Sequence, residues 1–64
     1  MITIKQAAKF LGVSKSDIAE LEIEDSKPYC DTYRVKFART VRGFARKGQN
    51  VLFPVTKDDL NAIV

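Results

Sequence analysis

Sixty-four residues carry 11 Lys/Arg against 8 Asp/Glu, a net charge of +3, with no histidine and one cysteine. A chain of this size buries only about 60% of its unfolded surface, so one domain spanning residues 1–64 with a small core is expected. Without histidine there is no Cys/His zinc site and no His-based catalysis; one cysteine closes no internal disulfide and fits a reducing cytoplasm.

Taken in order, Ile4, Ala7, Ala8 and Leu11 have the i, i+3, i+4, i+7 spacing of one buried helix face. Thr3 precedes the run and Gln6 stands three residues later, a capping box. Gly12 ends the helix, because glycine enters the left-handed C′ conformation without steric cost. A second helix is expected over residues 14–23, with Ser14 as N-cap, Asp17 at N3 and a Val13/Ile18 staple. Leu11, Val13, Ile18 and Leu21 would join the pair as a helix-turn-helix.

From Ser14 to Asp25 one base, Lys15, faces five acids: Asp17, Glu20, Glu22, Glu24 and Asp25. From Arg34 to Lys47 six bases occur with no acid: Arg34, Lys36, Arg39, Arg42, Arg46 and Lys47. The chain is therefore dipolar, an acidic helix 17–25 followed by a basic segment 34–47. Between them Ser26-Lys27-Pro28 reads as a loop.

Residues 31–47 admit two readings. At period 3.6, Tyr33, Phe37, Val41 and Phe44 form a stripe capped by Asp31 or Thr32. At period 2, Tyr33, Val35 and Phe37 alternate with Arg34 and Lys36, and Gly43 weakens a helix by about 1 kcal/mol. The expectation is a short helix over 31–38, then a strand over 39–45 pairing with 50–55; one helix from 32 to 47 is the alternative. Val51, Phe53 and Val55 alternate as in a strand, with Pro54 needing an edge position. Thr56 caps a last helix with Asp59 at N3, and Val55 with Leu60 forms another staple.

No apolar run approaches the ~20 residues of a membrane span, and no signal-peptide pattern is present. No phosphate-cradling glycine loop occurs, and Glu20, Glu22 and Glu24 lack the glycine-punctuated spacing of a calcium loop. Cys30 has no neighbour in sequence that clearly lowers its pKa. The chain is therefore read as a non-enzyme with no cofactor and no metal. The aromatic residues Phe10, Tyr29, Tyr33, Phe37, Phe44 and Phe53 are read as core rather than base-stacking platforms, with Tyr29 and Tyr33, flanked by polar residues, the main exceptions.

The Ile2-Thr3-Ile4-Lys5-Gln6-Ala7-Ala8 opening, with Phe10-Leu11-Gly12-Val13-Ser14 and Ile18, resembles the helix-turn-helix of MerR-type regulators and small phage excisionase (Xis, Cox) proteins. Residues 51–60 resemble the last wing strand and closing helix of the same proteins. The resemblance implies an α+β, mainly α, winged helix-turn-helix: two N-terminal helices, a basic β-hairpin wing and a short C-terminal helix. It implies a cytoplasmic DNA-binding protein of a phage or mobile element, of excisionase or transcription-regulator type. Its partners would be double-stranded DNA, a second copy on that DNA, or an integrase or host protein, with no membrane. Helix 14–23 would face the major groove through Lys15, Ser16, Ala19 and Glu20. Arg34, Lys36, Arg39, Arg42, Arg46, Lys47 and Gln49 would lie along the backbone. The competing expectation is a protein inhibitor (anti-CRISPR, anti-restriction or antirepressor) whose acids Asp17, Glu20, Glu22, Glu24 and Asp25 mimic nucleic acid.

Overall fold

A computed structural model describes residues 1–62. Helix α1 spans Ile4–Leu11, strand β1 Ile18–Ser26, β2 Cys30–Phe37, β3 Asn50–Thr56, and a short helix α2 Lys57–Ala62. The strands form one antiparallel sheet in the order β1-β2-β3. This is a mainly β fold, and it overturns the mainly α winged helix-turn-helix.

Helix α1 forms as its sequence predicts. The Gln6 N–H donates to Thr3 Oγ1 at 3.1 Å and the Thr3 N–H donates to Gln6 Oε1 at 2.9 Å. At the other end Gly12 has φ +76, and the Val13 and Gly12 N–H groups donate to the Ala8 and Lys9 carbonyls at 3.0 and 3.3 Å. That pairing, six-to-one and five-to-two, is a Schellman close.

The second start signal is also made, but it nucleates little. The Ser14 N–H donates to Asp17 Oδ2 at 2.9 Å. The chain then makes one 3-10 turn, Lys15–Asp17, and Ile18 leaves it extended at φ −103, ψ 125. The expected helix 14–23 is instead this turn followed by strand β1 from Ile18. Glu20-Leu21-Glu22-Ile23-Glu24 explains the change: charged and apolar residues alternate at period 2. In a helix, Glu20 and Glu24 would stack like charges at i, i+4.

Strand β2 replaces the expected helix over 31–38, and the alternative helix from 32 to 47 is equally absent. Tyr33, Val35 and Phe37 are fully or almost fully buried, with the intervening Arg34 and Lys36 on the other face. Asp31 caps no helix; its carboxylate accepts the Ser26 hydroxyl across the hairpin at 2.7 Å. The Lys27 and Cys30 backbones bond each other around Pro28 and Tyr29, at the expected loop. Strand β3 forms where predicted, on an edge that tolerates Pro54, but its partner is β2 rather than 39–45. Thr56 and Asp59 make the reciprocal cap of α2 at 3.0 and 3.1 Å.

One sheet face carries the core. Leu21, Val35 and Val51 lie in register across the three strands, as do Ile23, Tyr33 and Phe53. Ala7 and Ala8 bring α1 close to that face, and Ile2, Ile18, Ala45 and Val55 complete the buried cluster. Tyr33 is the most deeply placed polar ring, 0% exposed, and its hydroxyl accepts the Ile2 N–H at 3.2 Å. Tyr33 is therefore core and no exception to the reading of the aromatics, whereas Tyr29 at the hairpin tip is 69% exposed.

Candidate nucleic-acid interface

The open face of the sheet holds the acidic run against the first bases. Glu20 stands opposite Lys36 and Glu22 opposite Arg34. The Arg34 guanidinium binds Glu22, and it reaches Glu24 at 3.0 Å. Asp25 lies 3.9 Å from Lys27. These acids belong to an edge strand, so the acidic helix 17–25 does not exist. Lys15 and Ser16 sit on the 3-10 turn, and Ala19 is an exposed bulge residue of β1. Lys15, Ser16, Ala19 and Glu20 therefore share no recognition helix, which removes the groove-facing set.

The remaining bases lie in the β2–β3 connection, residues 38–49. Arg39 turns back to the 3-10 turn: its Nε is 2.8 Å from Asp17 Oδ1, and it also donates to the Ser16 hydroxyl. The Ala38 N–H donates to the Asp17 carbonyl at 2.7 Å. Arg39 thus fastens the loop base to the chain preceding β1.

Beyond it the connection folds into two successive β-turns. In the first, the Phe44 N–H donates to the Val41 carbonyl at 2.9 Å and Gly43 has φ +80. In the second, the Gln49 N–H donates to the Arg46 carbonyl at 2.9 Å and Gly48 has φ +81. A positive φ at the third residue of a turn is the type II requirement that glycine meets. Arg42 and Lys47 occupy the second position of these turns. Both therefore stand at turn tips, with Phe44 and Arg46 between them.

The loop is braced from within. The Val41 N–H donates to the Ala45 carbonyl at 2.7 Å and the Ala45 N–H returns to the Val41 carbonyl at 3.0 Å. Gln49 Oε1 accepts the Arg46 N–H at 2.9 Å, so Gln49 is a brace and not a free contact. Thr40 Oγ1 accepts the Lys47 N–H at 3.1 Å. Ala45 is buried, and Phe44 leans on the buried Phe37 ring with centroids 5.5 Å apart. Thr40–Arg46 and Gln49 line an open depression of about 340 Å³. Among the described residues, no acid forms an ion pair with Arg42, Arg46 or Lys47.

Sequence reasoning found these three cations by charge alone. It missed Phe44 as a surface residue, 45% exposed, because the residue fitted a helical stripe. The signals that would have placed it are the Arg42-Gly43 and Lys47-Gly48 dipeptides, which mark turns.

No protein-family model, no curated protein and no solved structure matches this chain. No described helix is long and apolar enough to cross a membrane.

Proposed function

We propose that the protein binds nucleic acid, with the β2–β3 loop gripping the phosphate backbone through Arg42, Arg46 and Lys47. The observation that carries this reading is the braced pair of turns that holds three cations with no acid paired to them among the described residues. Bracing the backbone that carries them lowers the loop-ordering cost of binding, and each phosphate neutralised releases a counterion. The excisionase-type role rested on a groove-reading second helix and is not carried further.

The inhibitor reading needs a free acidic surface. Glu22 and Glu24 share Arg34, Asp17 holds Arg39, and Asp25 faces Lys27, so four of its five acids are already engaged.

The test is fluorescence anisotropy with random-sequence single strands and duplexes across a salt series. Binding at low salt is expected, with log K falling against log salt at a slope of about −2 to −3, roughly −0.7 to −0.9 per phosphate contact. Arg42→Ala and Arg46→Ala should each flatten the slope by about one contact's worth. No binding to either form near 50 mM salt, or a slope that neither substitution moves, would refute the reading.

A further inference from the structure

Phe44 is the feature of this loop that phosphate binding does not use. Its inner face rests on Phe37, at 5.5 Å between centroids and 42° between planes, so the ring is held from below. Its outer side is open, 45% exposed, and Arg42 and Arg46 flank it at two residues on either side. The other exposed rings have different settings. Phe10 stacks on Phe53 at 5.6 Å beside the core, and Tyr29 neighbours Lys27, which lies against Asp25. Of the two supported rings that reach solvent, Phe44 is the more exposed, 45% against 36% for Phe10, and it has an arginine without an acidic partner among the described residues two positions away on each side, where Phe10 has Lys9 beside it.

A ring presented in this way gains from a base with a free π-face. Bases in a duplex are already stacked on their neighbours and must be pulled out at a cost of a few kcal/mol. An unpaired base has no such cost, and stacking on an aromatic side chain is sequence-tolerant. We infer that the occupant of the loop is single-stranded nucleic acid, one unpaired base stacking on Phe44 while Arg42 and Arg46 hold the phosphates beside it. This rests on the phosphate-gripping reading and adds the class of strand. The depression beside the ring, about 340 Å³, is at the small end of ligand clefts, ~300–1,000 Å³, and suits one base rather than a folded element.

The test compares a labelled oligo-dT, an oligo-rU and a duplex, each of about 15 nucleotides or pairs, within the usual span of a small single-strand binder. The wild-type chain is measured against Phe44→Leu, which keeps an apolar contact with Phe37 and removes the π-face. Single strands are expected to bind more tightly than duplex. Phe44→Leu should weaken the tighter of the two single strands by about 5- to 150-fold, the loss of one base–aromatic stack. Duplex affinity should change by less than about 3-fold and the salt slope should not move, since no phosphate contact is lost. In Phe44→Trp the introduced indole is the sole tryptophan of the chain, so its emission reports the site directly and should be quenched by the single strand. Equal losses on single strand and duplex, or no loss and no quenching, overturn the stacking inference; the phosphate reading then still stands if Arg42→Ala flattens the slope. Absence of binding to all three probes removes both.

Discussion

Replacing Tyr33 by phenylalanine removes one oxygen and nothing else. The ring is fully buried in the central strand, stacked at 6.0 Å on Phe53, and its shape is kept. What is lost is the acceptor for the Ile2 N–H, 3.2 Å away in an almost fully buried residue. A buried donor left without a partner costs about 1–3 kcal/mol, partly offset because the variant no longer desolvates a hydroxyl. The expected net loss is about 1–2 kcal/mol. In a domain this small each kcal/mol moves the thermal midpoint by about 4–8 °C, so a fall of roughly 5–15 °C is expected by circular dichroism. Tyr29→Phe is the control, because that ring stands 69% exposed at the hairpin tip and should move the midpoint by less than about 2 °C. If Tyr33→Phe behaves like Tyr29→Phe, the Tyr33 hydroxyl does not satisfy a buried Ile2 N–H, and the docking of the segment before α1 on β2 is refuted.

Gly12→Ala tests the close of α1. A Cβ there meets nothing within 4 Å, so only the left-handed backbone at φ +76 opposes it, and a loss of about 1–2 kcal/mol in urea unfolding, with unchanged m, is expected. Arg39→Ala should cost only about 0.5–1 kcal/mol, because the arginine is more than half exposed although Asp17 is nearly covered. The same variant should leave the salt slope of nucleic-acid binding within half a contact of wild type, unlike Arg42→Ala; an equal flattening would place Arg39 among the phosphate contacts.

Local signals read correctly where one short segment decides its own conformation. Thr3/Gln6, Gly12 and Thr56/Asp59 all act over three or four residues, and each makes the bond its spacing predicts. Ser14/Asp17 makes its bond as well, yet a cap only opens a helix; propagation needs residues that gain from it. Over Glu20–Glu24 the helix offers like-charge contacts and the strand offers Arg34, twelve residues from Glu22 in sequence. That gain is non-local, which is why caps alone point to helix 14–23. The same holds for β2, whose alternation is visible but competes with a helical stripe through Val41 and Phe44. Gly43 and Gly48 settle it, since both adopt positive φ in turns that no continuous helix contains. At the site, charge was legible and assignment was not. Arg34 and Arg39 look identical to Arg42 in composition, but the sheet and the 3-10 turn bring acids to them.

That partition changes the meaning of the dipolar sequence. Glu20 and Glu22 are spaced by two, as are Arg34 and Lys36, and the antiparallel register sets each acid against a base. Opposite charges across a strand pair contribute about 0.2–1 kcal/mol each, so the acidic run and the first part of the basic run form one structural feature. The acids serve the fold a second time. β1 is a nine-residue edge strand, and a long apolar edge invites pairing with another chain. A row of glutamates and the bulges near Ala19 and Glu24 oppose such pairing without any partner molecule. Once the acids, Arg34 and Lys36 are accounted for by the sheet, and Arg39 by Asp17, the basic segment 34–47 reduces to the two glycine turns. There Arg42, Arg46 and Lys47 contribute no described ion pair to the fold, and Phe44 leaves nearly half its surface in solvent. These unpaired charges on a loop braced from within are the observation on which the proposed phosphate grip rests, and Arg42→Ala is the substitution that tests it.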